Sequence, residues 1–344
     1  MLVKNKEYWE KRSVILKKKQ LEKCAKYYNN LEKNFTLAMK NIERDIYNWY
    51  MRFADNNEIT YVEAKQLLNS RELKEFRWTV KEYIKYGKEN AVNELWVKQL
   101  ENASARVHIK RLEALKLQLQ QHIEVLYGNE IDGLENIMRD IYKDSYYNNV
   151  FNLGKTIGIS NSFSALNMNK IEKVLRQPWT PDGSNFSKRV WGKHRPELIN
   201  FLERELTQSI IRGENPKVLI NRLAKKFNTS KNHAANVLFT ESAFFASEST
   251  KDCFNSLDVE EFQIIATLDL KTSEICQDMD NKVFNMEDYI IGSTAPPFHP
   301  RCRTTTAPYF DDDIGQRIAR DKDGKRHYVP NNMSYKEWYE KYIE

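Results

Sequence analysis

The stretch Thr267-Leu-Asp-Leu-Lys-Thr-Ser-Glu-Ile-Cys276, together with Pro296-Pro-Phe-His-Pro-Arg-Cys-Arg303, decides the architecture of the C-terminal part of this 344-residue chain. The apolar and β-branched residues 262–268 predict a β-strand, and residues 304–309 predict a second strand. The prolines of the second stretch exclude a helix there, because proline lacks the N–H group that a helix needs. We therefore predict a small α+β module over residues 259–344.

Cys276, His299 and Cys302 are the chemically most distinctive residues of this module. Cys276 follows a turn rich in Asp, Ser and Thr, and His299 and Cys302 stand three residues apart on a proline-stiffened loop. If that loop folds back onto the turn, two thiols and an imidazole converge. Such soft ligands are typical of zinc sites, which normally have four ligands. Asp269, Asp280 or a water molecule is a candidate for the fourth.

Two other interpretations of the same residues remain open. Cys276 and Cys302 can be ordinary buried thiols, with His299 hydrogen-bonded to a loop carbonyl. Alternatively, Cys276 and His299 can act as nucleophile and base, with Asp269 or Asp280 orienting the imidazole. Because no glycine-rich oxyanion loop surrounds Cys276 and no glycine-rich phosphate-binding motif occurs, we predict no catalytic residues and do not expect an enzyme.

The remainder of the chain has a helical composition. Eleven glycines and nine prolines are few for this length, which favours helices over a turn-rich β fold. We predict a mainly α protein: an elongated helical bundle at residues 1–155, a turn-rich linker at 156–195, a helical hairpin region at 196–258, and then the α+β module.

Apolar periodicity places several helices along this body. Residues 7–55 carry apolar side chains at steps of three, four or seven, and further helices are predicted from residue 61, at 73–87 and at 92–127. We expect Gly128 to end the last of these, and Thr229-Ser230 to begin a new helix after residue 227. The predicted buried stripe of the first helix consists of Tyr8, Ile15, Leu21, Tyr28, Leu31, Phe35, Met39, Ile42, Ile46 and Trp49.

Positive charge is concentrated at the N-terminus. The net charge is +6, and residues 1–26 contain nine Lys or Arg against three Glu. This pattern is more often a solvated helix face than an arm that binds nucleic acid or an acidic partner, and both interpretations stay open. The candidate contact residues of the arm are Lys11, Arg12, Lys17, Lys18 and Lys19.

The cysteine count and hydropathy indicate the compartment. Four cysteines are too few for a disulfide scaffold in a chain of this size. The first 20 residues are polar and charged, so we expect no signal peptide, and no run of 18 apolar residues predicts a membrane span. We expect a reducing cytoplasm during synthesis.

Several segments together resemble a known family. They are Leu268-Asp269, Thr272-Ser273, Cys276, Asp280, Val283-Phe284, Pro296-Pro297, His299-Pro300, Cys302-Arg303, Pro308, Pro178-Trp179, Asp182-Gly183, Phe186-Ser187, Arg189-Val-Trp191, and 213–242 ending in Thr240-Glu-Ser242. This set resembles the phage head morphogenesis proteins, the phage Mu F-like family, over about residues 175–310. We expect Trp179, Phe186 and Trp191 to be structural packing residues.

The resemblance implies a low-copy minor head protein of a tailed bacteriophage, located inside the virion head and, during assembly, in the host cytoplasm. Its partners would be the portal protein, other head or scaffold proteins and, in packaging or ejection, phage DNA, with no role for a membrane. Many relatives carry a further cysteine where this chain has Thr304. A four-ligand Cys-His-Cys-Cys site is therefore not available here.

Two rival functions follow from the residues alone. A Cys-His hydrolase or a nuclease acting during packaging would use Cys276 and His299. A nucleic-acid-binding protein would use the basic residues 1–26, and its affinity would depend strongly on salt.

Overall fold

The computed structural model describes residues 6–56, 111–157, 166–212, 214–310, 316–321, 325–330, 333 and 335–342. Its helices are α1 (Lys6–Asn56), α2 (Arg111–Ile157), α3 (Met168–Arg176), α4 (Phe186–Arg189), α5 (Arg195–Ile211), α6 (Pro216–Ser256), α7 (Glu274–Met279) and α8 (Tyr335–Tyr342). Its strands are β1 (Glu261–Ile265), β2 (Val283–Asn285), β3 (Thr305–Tyr309), β4 (Gln316–Arg320) and β5 (Arg326–Pro330). The π-helical turn Val190–His194 joins α4 to α5. This mainly α architecture with a small α+β module confirms the predicted fold class.

The described residues divide into two compact units. The first unit takes those within Met1–Tyr27, Glu135–Asn185 and Asn236–Glu344, and the second takes those within Tyr28–Leu134 and Phe186–Ala235. The four-segment division drawn from the sequence stays a prediction, and the helices predicted at 61–72, 73–87 and 92–110 lie outside the described residues. Among the described helices, none combines the length and the apolar character that crossing a membrane requires.

Helix α6 presents a row of buried hydroxyl groups inside the first unit. Ser242 accepts a hydrogen bond of 3.0 Å from the side-chain amide of Gln20 on α1. Ser249 donates to the carbonyl of Tyr142 on α2 at 2.7 Å. Because a buried polar group without a partner costs about 1–3 kcal/mol, these bonds hold α1 and α2 at fixed positions along α6.

The sheet of the α+β module has the order β2-β1-β3, with both neighbours antiparallel to β1. Phe262 on the central strand lies opposite Phe284 on β2 and Pro308 on β3. Strands β1 and β3 confirm the two strands predicted from the sequence. Side chains of β1 and β3 contribute to an apolar cluster together with residues of the helices and loops around the sheet. The buried members of this cluster are Trp9, Tyr146, Val150, Leu153, Cys253, Phe254, Leu257, Val259, Phe262, Ile264, Ile265, Tyr289, Ala295 and Ala307.

A separate hairpin of β4 and β5 packs with α8. Its register runs from Gln316 opposite Pro330 to Arg320 opposite Arg326. Trp338 of α8 is fully buried in a small cluster with Leu268 and Val329. This hairpin was not predicted from the sequence.

The buried face of α1 differs from the predicted apolar stripe at its N-terminal end. Val14 and Ile15 are 46% and 45% exposed, whereas Ser13, Lys17 and Gln20 are buried. Placing Ile15 in the buried stripe was therefore wrong. The physical reason is the hydroxyl row of α6, which a polar helix face can hydrogen-bond and an apolar face cannot. Farther along, the stripe is confirmed at Leu31, Phe35, Ile42, Ile46 and Trp49, all buried.

Two predicted helix boundaries lie inside longer helices. Helix α2 continues through Gly128, because burial of its neighbours Tyr127 and Ile131 outweighs the cost of a helical glycine, about 1 kcal/mol. Helix α6 continues through Thr229, whose hydroxyl donates to the carbonyl of Lys225 at 3.2 Å. A hydroxyl bonded back into its own helix no longer caps a new one.

The core of the second unit joins α1, α2 and α6 through aromatic side chains. Phe35 makes edge-on contacts with Tyr127 and Phe227, at ring-centroid distances of 6.3 and 6.4 Å. Glu130, one turn beyond Tyr127, is fully buried. Burial raises the pKa of this carboxyl from 4.5 to about 8, so that it is protonated near neutral pH.

We predict that Glu130→Gln reduces the fall of the free energy of unfolding as pH rises above neutral. The pKa of Glu130 is higher in the folded state than in the unfolded state. The stability of the folded state with respect to this carboxyl is therefore fully present below pH 4.5 and is lost as pH rises through about 8. The loss amounts to at most about 1.4 kcal/mol per pH unit. The melting temperature of Glu130→Gln should therefore exceed that of the parent by an amount that grows with pH.

The control for this prediction is Glu22→Gln, at a carboxyl on α1 whose side chain is 59% exposed. Its profile should parallel that of the parent between pH 5 and about 8. Parallel profiles for the parent and Glu130→Gln would contradict the assignment of a neutral, buried Glu130.

Candidate metal centre

The turn before α7 fixes the position of Cys276. The side chain of Asp269 accepts a hydrogen bond from the backbone N–H of Lys271 at 2.9 Å, and Thr272 N–H donates to the carbonyl of Asp269 at 3.1 Å. The chain then enters α7 after Ser273. Cys276 falls in the first turn of this helix and is 2% exposed.

The segment from His299 to Cys302 forms a tight turn. The backbone N–H of Cys302 donates to the carbonyl of His299 at 3.2 Å, and Arg301 has a φ of +59°. Pro300 in second place and a positive φ in third place are the features of a type II turn. The backbone N–H of Arg301 donates to the hydroxyl of Thr240 at 3.0 Å, which anchors the turn to α6.

These two turns bring the three predicted residues together. The Sγ atom of Cys276 lies 3.2 Å from Nε2 of His299 and 3.6 Å from Sγ of Cys302. Within the part of the chain that the structure describes, this is the group of side chains suited to holding a metal ion, with all three ligand atoms within 4.8 Å of one another. Cys302 is 1% exposed, so both thiols are shielded from solvent.

The two predicted carboxylate candidates have other partners. Both oxygens of Asp269 accept hydrogen bonds of 2.6 Å from the guanidinium of Arg303. One oxygen of Asp280 accepts the backbone N–H of Ala266 at 2.9 Å. Neither carboxylate belongs to the three-residue group.

Lys17 approaches this group from α1. Its side chain is buried, and burial lowers its pKa, an effect that the nearby sulfurs of Cys302, Cys24 and Cys276 partly oppose. The hydrogen bond between the thiols raises the pKa of Cys276 and lowers that of Cys302. The region therefore combines two thiols, an imidazole and the buried amino group of Lys17.

The buried position of Lys17 corrects one residue of the predicted basic arm, because a side chain inside the folded unit does not reach a nucleic acid. Lys11, Arg12, Lys18 and Lys19 are exposed. Lys11 pairs with Glu7, and the guanidinium of Arg12 lies 5.3 Å from the ring of Tyr8. Contact of these exposed residues with a partner stays a prediction.

The sequence assigned Lys17 to the basic arm and gave Arg303 no partner, so the place of these two residues beside the candidate centre was not predicted. The signal for Lys17 was its place on one helical face with Ser13, Gln20 and Cys24, at steps of three and four. Hydropathy cannot separate such a buried polar face from a solvated one. The pairing of Arg303 with Asp269 had no signal, because the two residues are 34 positions apart.

The segment with three predicted structural aromatics packs as expected where it is described. Trp179 stacks on Phe244, with ring centroids 4.5 Å apart, and its indole N–H donates to Glu241 at 2.7 Å. Phe186 is 1% exposed, and Trp191 lies under the guanidinium of Arg195 at 5.6 Å.

Comparison with known proteins identifies part of the chain. Residues 200–307 match the family model described as Phage Mu protein F like protein. The matched segment contains Cys276, His299 and Cys302, and it confirms the resemblance found in the sequence. No curated protein and no solved structure matches the chain.

We predict a strong coupling between Asp269 and Arg303, because their bidentate ion pair is mostly shielded, with side-chain exposures of 20% and 29%. A double-mutant cycle with Asp269→Ala and Arg303→Ala, measured by denaturant unfolding, should give a coupling free energy of about 1–3 kcal/mol. The exposed pair of Lys18 and Glu22 provides the control, with an expected value below about 0.5 kcal/mol. Equal coupling in both cycles would show that the Asp269 pair does not join the two turns.

Proposed function

We propose that this chain, whose residues 200–307 form a Phage Mu F-like head morphogenesis domain, is a minor head protein of a tailed bacteriophage that binds the portal protein. The family match carries this proposal. The match includes β1, β2, the first three residues of β3 and both turns of the candidate centre, so it covers most of the three-stranded sheet of the α+β module. The remaining helical residues supply surface for contacts with the portal and with other head or scaffold proteins.

The protein acts by binding and not by turnover. This part of the proposal is supported by the burial of Cys276 and Cys302, at 2% and 1% exposure. A nucleophile has to reach its substrate, and these thiols point into a packed group with Ala266 and Phe298. A Cys-His hydrolase would need a large opening of the two turns.

The location that follows is the head interior, with packaging or ejection of DNA as the step in which the protein takes part. The exposed basic side chains of α1 give this role its chemical support, because they offer positive charge to phosphate groups. During assembly the chain would be in the host cytoplasm.

We predict that peptides of this chain occur in purified phage heads, protected from an added protease. Co-expression with the portal protein of the same phage should also yield a complex that stays together in size-exclusion chromatography. The major capsid protein of that phage, co-expressed alone with the chain, is the control for unspecific association. Absence from heads would sink the minor head protein proposal, and separate elution of chain and portal would sink the portal contact alone.

We predict that replacing Lys18 and Lys19 together by Ala weakens binding to duplex DNA and lowers the salt dependence of the affinity by up to about two phosphate contacts. The measurement is fluorescence anisotropy at several salt concentrations. Replacing Lys33 and Lys40, which are exposed farther along α1, removes the same charge and serves as control. The same salt dependence in the parent and both variants would show that the arm is a solvated helix face.

A further inference from the structure

We propose that Cys276, His299 and Cys302 bind one soft divalent cation, Zn²⁺, as its three protein ligands, with water as the fourth ligand. The proposal concerns the stability of the α+β module and does not depend on portal binding. It stands on the spacing of the ligand atoms, the orientation of the imidazole and the burial of both sulfurs.

The spacing of the ligand atoms fits a tetrahedral zinc ion. With Zn–S distances of about 2.3 Å and Zn–N of about 2.0 Å, tetrahedral geometry separates two sulfurs by about 3.8 Å and a sulfur from a nitrogen by about 3.5 Å. The corresponding separations from Cys276 are 3.6 Å to the sulfur of Cys302 and 3.2 Å to Nε2 of His299. A zinc ion therefore requires only small outward shifts of these side chains.

The imidazole of His299 is oriented as in a metal ligand. Its Nδ1 lies 2.8 Å from the carbonyl oxygen of Pro300. A carbonyl oxygen only accepts, so Nδ1 is the nitrogen that donates a proton to it, and Nε2 is the nitrogen that faces the sulfurs. A backbone carbonyl that fixes the second nitrogen in this way is the usual outer partner of a zinc-bound histidine.

Hydrogen-bond donors surround the sulfurs. The hydroxyls of Ser273 and Thr304 lie close to Cys276, and the backbone N–H of Phe298 lies close to Cys302. The Ser273 hydroxyl is buried and makes no hydrogen bond to another described residue. Donors in these positions stabilise coordinating thiolates. The ion pair of Asp269 with Arg303 keeps the two ligand-bearing turns together independently of the metal.

The fourth ligand comes from solvent, because Asp269 and Asp280 have other partners. Lys17 and Thr304 line a polar cavity of about 30 Å³, whose lining does not include Cys276, His299 or Cys302. A water molecule needs about 10–15 Å³ measured in this way, and polar walls to bond to. The burial of both thiols shields the site from bulk solvent, and three protein ligands leave the fourth position of a tetrahedral zinc ion to a water molecule.

Binding replaces protons by the metal: Zn²⁺ displaces the remaining thiol protons and the proton on Nε2, if present, into the solvent, and no electrons are transferred. The site therefore needs no oxidant. A disulfide between Cys276 and Cys302 would instead consume both thiols by two-electron oxidation and exclude the metal. The two outcomes are distinguishable by mass and by metal content.

The experiment uses the full chain, purified under reducing conditions and titrated with Zn²⁺ and, in parallel, with Co²⁺. We expect about one equivalent of tightly bound zinc, an increase in melting temperature, and for cobalt the visible absorption of a tetrahedral site with thiolate charge-transfer bands. Cys302→Ser and His299→Gln should bind less than about a tenth of an equivalent. Cys253→Ala, which removes a buried thiol in the apolar cluster, is the matched control and should behave like the parent.

Three results would overturn the proposal. The first is a fully reduced parent that binds less than about a tenth of an equivalent of either metal. The second is a parent that binds metal equally well after substitution of Cys302. The third is cobalt bound without thiolate charge-transfer bands, a measurement on the parent that remains decisive if the variants fail to fold.

Discussion

Every buried hydroxyl group on α6 needs a hydrogen-bond partner, and this requirement organises the first unit around one helix. The partners come from α1, α2 and the α+β module, so hydroxyl groups on different sides of a single helix fix three separate parts of the chain. Loss of one partner leaves a buried polar group, which costs more than the bond itself contributes. The pairs are Thr240 with the Arg301 amide, Ser242 with Gln20, Ser247 with Tyr289, Ser249 with the Tyr142 carbonyl, and Thr250 with Asn149.

The candidate metal centre depends on the same helix. Thr240 holds the turn that carries His299 and Cys302, and the ion pair of Asp269 with Arg303 joins this turn to the one that carries Cys276. Three soft ligands thus meet through contacts that involve none of the ligand atoms. A site supported in this way would be largely preorganised for the proposed metal, because the two turns are held together by contacts that do not need it.

Local chemistry predicted the strands and the ligand turns because their signals are short-range. The β-branched run of β1 depends on neighbouring residues and forms the predicted strand. The turn at Pro300 also depends on neighbouring residues, and it lies in the loop that the prolines were predicted to keep from being helical. Helix boundaries depend on packing over longer distances. Gly128 was predicted to end a helix and Thr229 to begin one, yet α2 and α6 are continuous at these positions. At Gly128 the burial of apolar neighbours outweighs the cost of a helical glycine, and at Thr229 the hydroxyl bonds back to the carbonyl of Lys225.

The sequence by itself predicted the mainly helical fold and the resemblance of its C-terminal part to the Phage Mu F-like family. It also predicted that Cys276, His299 and Cys302 converge, because their residue types and their spacing along the chain are visible without a structure. The tertiary structure alone decided which polar residues surround them. It assigns Asp269 to Arg303 and buries Lys17 beside the thiols. The reason is physical: ion pairing and desolvation depend on which distant segments meet, and periodicity along one helix contains no information about its partner.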